Sequence, residues 1–190
     1  MNRCAWVGND PIMINYHDAE WGVVTRDRQR LFEALLLEGA QAGLSWRTVL
    51  QKRAAYRDLF WRFRPERIAA MTSAEIDQVS TNPAIIRHRG KVNAFVANAR
   101  AWLQLEAQGS DPVELLWQFV DDVPRQNQWQ KLAELPTQSK ESVAMSKTLK
   151  KAGFKFVGPT TCYAFMQSVG MVNDHLYSCF RYHQLGGSGD

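Results

Sequence analysis

The sequence predicts an all-α fold, and three observations carry that prediction. Apolar residues recur at helical spacing in several stretches, and Val92, Phe95, Val96, Ala99, Trp102 and Leu103 make the clearest face. These stretches are bounded by helix start and stop residues: Thr72 with Glu75 as a capping box, Asp111 ahead of Pro112, and Gly153 and Gly170 behind apolar runs. No strand-length alternating run competes with them, so about eight or nine short helices and turns are expected.

A chain of 190 residues is long enough to bury a substantial core. Residues 1–183 are read as a single helical domain and 184–190, rich in glycine, as a flexible tail. At 45% hydrophobic and 22% charged, with no apolar run that would span a bilayer, the composition excludes the membrane and disordered classes. The N-terminal stretch Met1-Asn2-Arg3-Cys4-Ala5-Trp6 lacks the apolar core of a signal peptide, so a cytoplasmic protein is expected. A net charge of +4 permits nucleic-acid binding without requiring it. Three cysteines, Cys4, Cys162 and Cys179, do not make a disulfide framework in such a protein, which leaves metal ligation or simple burial.

Taken in order, residues 1–24 are dense in aromatics and turn formers without clear periodicity, and read as an irregular segment packed on the domain. Thr25 or Asp27 caps a helix carrying Leu31, Phe32, Leu35 and Leu36 that ends near Glu38-Gly39. Glu38 stands out there, because a carboxylate in the last turn opposes the helix dipole. Residues 40–44 read as a short loop, and Ser45 caps a helix beginning at Trp46. Pro65 starts a short helix, and Asn82-Pro83 breaks the pattern. The basic run Arg87-His88-Arg89-Gly90-Lys91 before the longest helix is either a phosphate contact or a solvated cluster. A helix from Pro112 runs through Leu115, Leu116 and Phe119, and residues 121–138 read as a polar surface connection.

Residues 146–179 read as helix, hairpin, helix. Gly153 suits the position after a helix end, Gly158 frees the backbone to turn, and Pro159 suits a first helical position. Ser139 and Ser142 can cap the helix that enters, and Gly170 closes the one that leaves. Free N–H groups at the second helix, with Lys147, Lys150, Lys151 and Lys155 around them, would dock an anion such as a DNA phosphate. An ordinary helix pair with a solvated lysine face is the alternative.

Two constellations could carry chemistry. If a helix begins at Asn173 or Asp174, His175 and Cys179 lie one turn apart on one face, a spacing that suits two zinc ligands. Cys4 and His17 would complete a Cys₂His₂ site joining the two ends of the chain; a buried cysteine beside a core histidine is the alternative. The second constellation is Glu38 among Trp6, Tyr16, Trp21 and Trp46. Stacked rings with one carboxylate suit a flat, cationic group, although tryptophans also simply fill cores.

Together these residues resemble the bacterial 3-methyladenine DNA glycosylase I family of the helix-hairpin-helix superfamily. The similarity spans nearly the whole chain, through Arg3-Cys4-Ala5-Trp6-Val7, Tyr16-His17-Asp18, Leu37-Glu38-Gly39, Gln41-Ala42-Gly43-Leu44-Ser45-Trp46, Ile85-Ile86-Arg87-His88-Arg89-Gly90-Lys91, Gly153-Phe154-Lys155-Phe156-Val157-Gly158 and Val172-Asn173-Asp174-His175. The resemblance implies a helix-hairpin-helix glycosylase fold with a structural zinc on Cys4, His17, His175 and Cys179. It also implies a catalytic and base-contacting Glu38, with Tyr16 and Trp46 at the flipped base, and the aromatic constellation adds Trp6 and Trp21 to that pocket. Gly153, Lys155, Gly158 and Thr160 would hold the DNA backbone, and Leu44 with Gln41 would fill the gap left in the duplex.

Double-stranded alkylated DNA is then the substrate and free 3-methyladenine the product of a monomer with no membrane partner. Met13 stands where the family often has a second pocket tyrosine, which leaves the range over 3-methylguanine and 7-methylguanine open. Asn173 stands where the superfamily often has a catalytic aspartate, with Asp174 either an aid to water attack or a helix cap. Thr160 stands where bifunctional relatives carry a Schiff-base lysine, so base removal without strand cleavage is expected. A DNA-binding protein without catalysis is the competing class.

Overall fold

A computed structural model describes residues 1–186. Its described residues form ten α-helices, as the all-α reading expects, and one pair of two-residue strands. The helices are α1 (Pro11–Ala19), α2 (Arg28–Gln41), α3 (Trp46–Leu59), α4 (Pro65–Ala69), α5 (Ser73–Thr81), α6 (Arg89–Ala107), α7 (Pro112–Trp117), α8 (Lys140–Lys151), α9 (Pro159–Ser168) and α10 (Phe180–Gln184). None is long and apolar enough to cross a membrane.

At the centre of the site, α2 packs on α3, α6, α7 and α9, while α4 and α5 pack on α6 and α8 packs on α9. An ordinary surface helix buries one stripe, whereas α2 buries Leu35, Leu36, Leu37, Glu38, Gly39 and Ala40 in succession. Its C-terminal half is therefore enclosed on every side, and Glu38 is enclosed with it. Asp27 rather than Thr25 is the cap, accepting the Arg30 N–H at 2.8 Å. The helix also runs on to Gln41, so Ala40 and Gln41 are helical and the connecting loop shrinks to residues 42–45. Ser45 then caps α3 as expected, accepting the Thr48 N–H at 3.2 Å.

Three expectations are corrected. The stretch 1–24 contains α1, started by Pro11 and capped by Asp10; its buried residues Tyr16 and His17 are adjacent, so no repeating apolar stripe announces it. The connection 121–138 contains β1 (Arg125–Gln126), parallel to β2 (Val172–Asn173). No helix begins at Asn173 or Asp174. After β2 the chain turns, because the Asn173 side chain donates to Gln126 and to the Tyr182 carbonyl and accepts the His175 N–H. The last helix starts only after Cys179. Of the expected tail, Gln184 closes α10, while residues 187–190 lie outside the described residues.

The hairpin is built as a helix stop followed by a helix start. Gly153 has φ of +98°, and the Phe154 N–H reaches the Leu149 carbonyl while the Gly153 N–H reaches Lys150, each at 3.0 Å. That double closure satisfies the last carbonyls of α8, and buried Phe154 and Leu149 seal it. Ser139 caps α8, with Ser142 returning a bond to it rather than capping by itself. The turn itself is made at Phe156, with φ of +55°, not at Gly158, whose φ of −66° is open to any residue. A Cβ at Gly158, the residue before α9, would meet nothing within 4 Å.

Asn98 on α6 clamps the turn with two bonds, accepting the Lys155 N–H at 2.7 Å and donating to the Lys155 carbonyl at 3.1 Å. Asn98→Ala is expected to cost about 2 kcal/mol of unfolding free energy, since it removes two part-buried hydrogen bonds of about 1 kcal/mol each. Urea titration should show a lower midpoint at an unchanged slope.

Candidate active site and metal centre

The end of α2 opens into a cleft of about 310 Å³ lined by Trp6, Met13, Tyr16, Trp21, Glu38, Gln41, Trp46, Leu132, Leu135, Ala164 and Gln167. The five residues proposed for the base pocket thus share one cavity. Tyr16 and Trp46 face each other at 5.3 Å between ring centroids, and Trp6 meets Trp21 edge-on at 5.0 Å. The indole Nε1 of Trp46 is buried with no acceptor, a donor without a partner in the protein.

Glu38 is 5% exposed. Burial pushes its carboxyl up to about 8, with Ser168 pulling weakly the other way and no cation of the protein opposing the shift. The free protein therefore holds this group mostly protonated at neutral pH. Burial also drives the Tyr16 hydroxyl well above its ordinary range, so it stays neutral.

The positive end group that α2 lacks in its own sequence comes from α6. Lys91, 6% exposed, donates from Nζ to the carbonyls of Ala40 at 2.8 Å and Ala42 at 2.7 Å. It caps the helix end and ties down the loop that follows. The basic run 87–91 is thus largely structural: His88 caps α6 and Arg89 pairs with Asp77 at 2.6 Å. Leu44 stands out of that loop, 43% exposed, rather than packing under the α3 N-terminus. The hairpin adjoins the last turn of α2, since a Cβ at Gly39 would lie 3.3 Å from that of Phe156. Lys147, Lys150, Lys151 and Lys155 are exposed around the hairpin, as is Thr160 at the start of α9.

Behind Trp6 and Trp21, four buried side chains from both ends of the chain converge: Cys4, His17, His175 and Cys179, with ligating atoms all within 4.8 Å of one another. A tetrahedral ion with bonds of about 2.3 Å to sulfur and about 2.0–2.1 Å to nitrogen has ligand–ligand edges of roughly 3.3–3.8 Å. The distances are 3.2 Å between His175 Nδ1 and His17 Nε2, 3.4 Å from Cys179 Sγ to His17, and 3.6 and 3.7 Å from Cys179 and Cys4 to His175. These four of the six pairs lie at or close to the edges of such a tetrahedron, and all six lie within 4.8 Å.

The outer contacts fit as well. His17 Nδ1 meets Asp18 at 2.7 Å, and Arg3 holds that carboxylate below its usual range, at about 2. His175 Nε2 meets the Trp21 carbonyl at 3.1 Å. Gly22, with φ of +80°, keeps clear the space beside His175 that a side chain would fill. His175 and Cys179 come together through a turn, not along a helix face.

With this geometry in place, the similarity to known proteins is specific. Residues 6–182 match the methyladenine glycosylase family. The chain belongs to that family. DNA-3-methyladenine glycosylase 1 of Escherichia coli (strain K12) is 51% identical over 182 residues, covering 96% of this chain and 97% of the relative. Among solved structures, a 3-methyladenine DNA glycosylase I superposes with a TM-score of 0.93 at 52% identity, over 94% of this chain and 98% of that one. A point variant of a 3-methyladenine DNA glycosylase I, solved in complex with 3-methyladenine, superposes at 0.89 with 39% identity, over 95% of this chain and 97% of that one.

This methyladenine glycosylase chain also has site residues that its sequence did not single out. Gln167, Ala164, Leu132 and Leu135 line the cleft, and Lys91 and Asn98 brace its surroundings. Lys91 was at least visible as part of a basic run; the others carry no local signal, because contacts across the chain give them their roles. Asn173 is bonded away from the cleft and does not line it. Asp174 caps no helix, and its carboxylate is buried among four donors.

The raised Glu38 carboxyl makes a stability prediction. Between about pH 4.5 and 8 the folded state holds a proton that the unfolded chain has released, so folding stability falls as pH rises through that window and levels off above it. Glu38→Gln removes the effect, and its advantage over the parent in urea unfolding should grow from pH 5 to pH 9 by a few kcal/mol.

Proposed function

We propose that this chain removes 3-methyladenine from alkylated double-stranded DNA by hydrolysis, leaving an abasic site without cutting the strand. The observation that carries the reading is Glu38, buried without a counter-ion at the floor of an aromatic cleft. An adenine methylated at N3 within DNA is flat and positively charged, and its glycosidic bond is already weakened by that charge. Tyr16 and Trp46 stack on or contact the extruded base, with Trp6 and Trp21 completing the wall. Glu38 accepts from the exocyclic amine and, as the carboxylate, offsets the base's charge where water cannot screen it. Unmodified adenine brings no charge to this carboxyl and keeps its stronger bond.

Leu44, exposed on a braced loop beside Gln41, enters the stack in place of the extruded nucleotide. Gly153, Lys155, Gly158 and Thr160 bind the backbone through the hairpin and the free N–H groups of α9. Thr160 has no amine to form a Schiff base, which supports a monofunctional enzyme. The Cys4–His17–His175–Cys179 cluster holds zinc, whose work is to fasten the N-terminal aromatics to the end of the chain. The protein acts as a monomer in the cytoplasm.

Incubation with methylated DNA is expected to release free 3-methyladenine, with strand breaks appearing only after heat or alkali. Spontaneous nicking would count against the monofunctional assignment, and no base release would leave a DNA-binding protein. Since a cationic base favours the carboxylate, kcat/KM should climb with pH up to about 8 in the parent. Glu38→Gln should lose roughly a hundredfold in rate and the pH dependence with it. Metal analysis should find one zinc per chain, absent in Cys179→Ser together with several kcal/mol of stability.

A further inference from the structure

Four donors converge on one buried carboxylate outside the cleft. Asp174, 1% exposed, accepts at Oδ1 from Asn127 Nδ2 at 2.6 Å and Trp129 Nε1 at 2.8 Å. At Oδ2 it accepts from Tyr163 Oη at 2.7 Å and Gln167 Nε2 at 2.8 Å. Of these residues Gln167 alone lines the cleft. Two acceptors would repel at 2.8 Å, so the Gln167 atom on Asp174 must be its nitrogen. The carbonyl Oε1, which receives no hydrogen bond from the described residues, is then the polar atom left for a ligand.

We propose that Gln167 is a specificity-determining residue of the base pocket, and that Asp174 is the positioning residue that locks its amide as an acceptor. The inference rests on the base-excision reading above. Adenine carries a donor amine at the position where guanine carries an acceptor oxygen. An amine has two hydrogens, and Glu38 and Gln167 share them. A guanine-type base would set its oxygen against the Gln167 carbonyl and leave both unpaired, a mismatch that binding sites reject strongly. An unlocked glutamine could turn its amide to suit either base. Asp174 removes that freedom, and Trp129, whose N–H can only donate, holds the carboxylate in register.

The test is to digest DNA carrying both lesions and measure the ratio of released 3-methyladenine to 3-methylguanine. Gln167→Met keeps the side-chain length and removes the acceptor, so the ratio should fall roughly tenfold or more. Asp174→Asn should go further. Its amide oxygen must stay on the Trp129 N–H, so its amide nitrogen faces Gln167, which turns its carbonyl to meet that nitrogen and its own NH₂ into the cleft. The preference then shifts toward 3-methylguanine.

A merely structural role would slow both lesions alike, so an unchanged ratio in folded Gln167→Met overturns the inference while leaving the glycosylase reading intact. That variant decides the matter even if Asp174→Asn does not fold. Absence of 3-methyladenine release by the parent protein would overturn the glycosylase reading itself, before any variant is compared.

Discussion

A carboxyl group buried without a cation, at the end of a helix whose dipole also disfavours negative charge, is the constraint on which the rest of this structure depends. Each of the two effects works against ionising Glu38. The protein meets them without placing an arginine or lysine on the acid. It lets the group hold a proton, and it uses Lys91 from α6 to satisfy the carbonyls that α2 leaves open. The apolar residues Leu35, Leu36 and Leu37 anchor the preceding turn in the core. What results is an acceptor that becomes strongly attractive only when a ligand brings positive charge with it.

The walls around that acid come from parts of the chain with little core of their own. Trp6, Tyr16 and Trp21 sit on a segment whose own buried cluster is small, and the Cys₂His₂ cluster ties it to the far end of the chain. Trp6 packs on His17 and Trp21 on His175, so the pocket wall and the ligand set brace each other. Leu132 and Leu135, which also line the cleft, come from an irregular connection secured by Asn127 and Trp129 on Asp174. Asp174 and His175 are adjacent, so one short turn after β2 holds both parts of the cleft lining.

In the proposed function, binding the backbone and reading the base fall to different elements that nevertheless touch. The hairpin is rigid because its helix stop, the Asn98 clamp and the Ser146 bond to the Val157 carbonyl at 2.6 Å leave it few free backbone groups. Its contact with Gly39 sets it against the very turn that carries Glu38. A strand held on the hairpin is thereby held at a set distance from the cleft mouth and from Leu44, which suits removal of a single nucleotide better than a flexible connection would.

What the sequence by itself determined was whatever depends on local chemistry: helix periods, the capping box at Thr72, the Gly153 stop, the Pro159 start, and an acid misplaced at a helix end. The similarity in its motifs extended this to the ligand set and the aromatic pocket, because those side chains recur in order along the chain. It failed where local signal and tertiary demand diverge. The helix α1 is short and buries only the adjacent Tyr16 and His17, which show no period, the two-residue strands are too short to alternate, and His175 and Cys179 meet through a turn. Only the tertiary structure decided that Lys91 caps α2, that Gln167 lines the cleft and that Asp174 holds its amide. Lys91 and Asp174 draw on partners 45 to 51 residues away and Gln167 is placed by a shared cavity wall, and a hydrogen bond between distant residues leaves no period, cap or turn in the sequence to announce it.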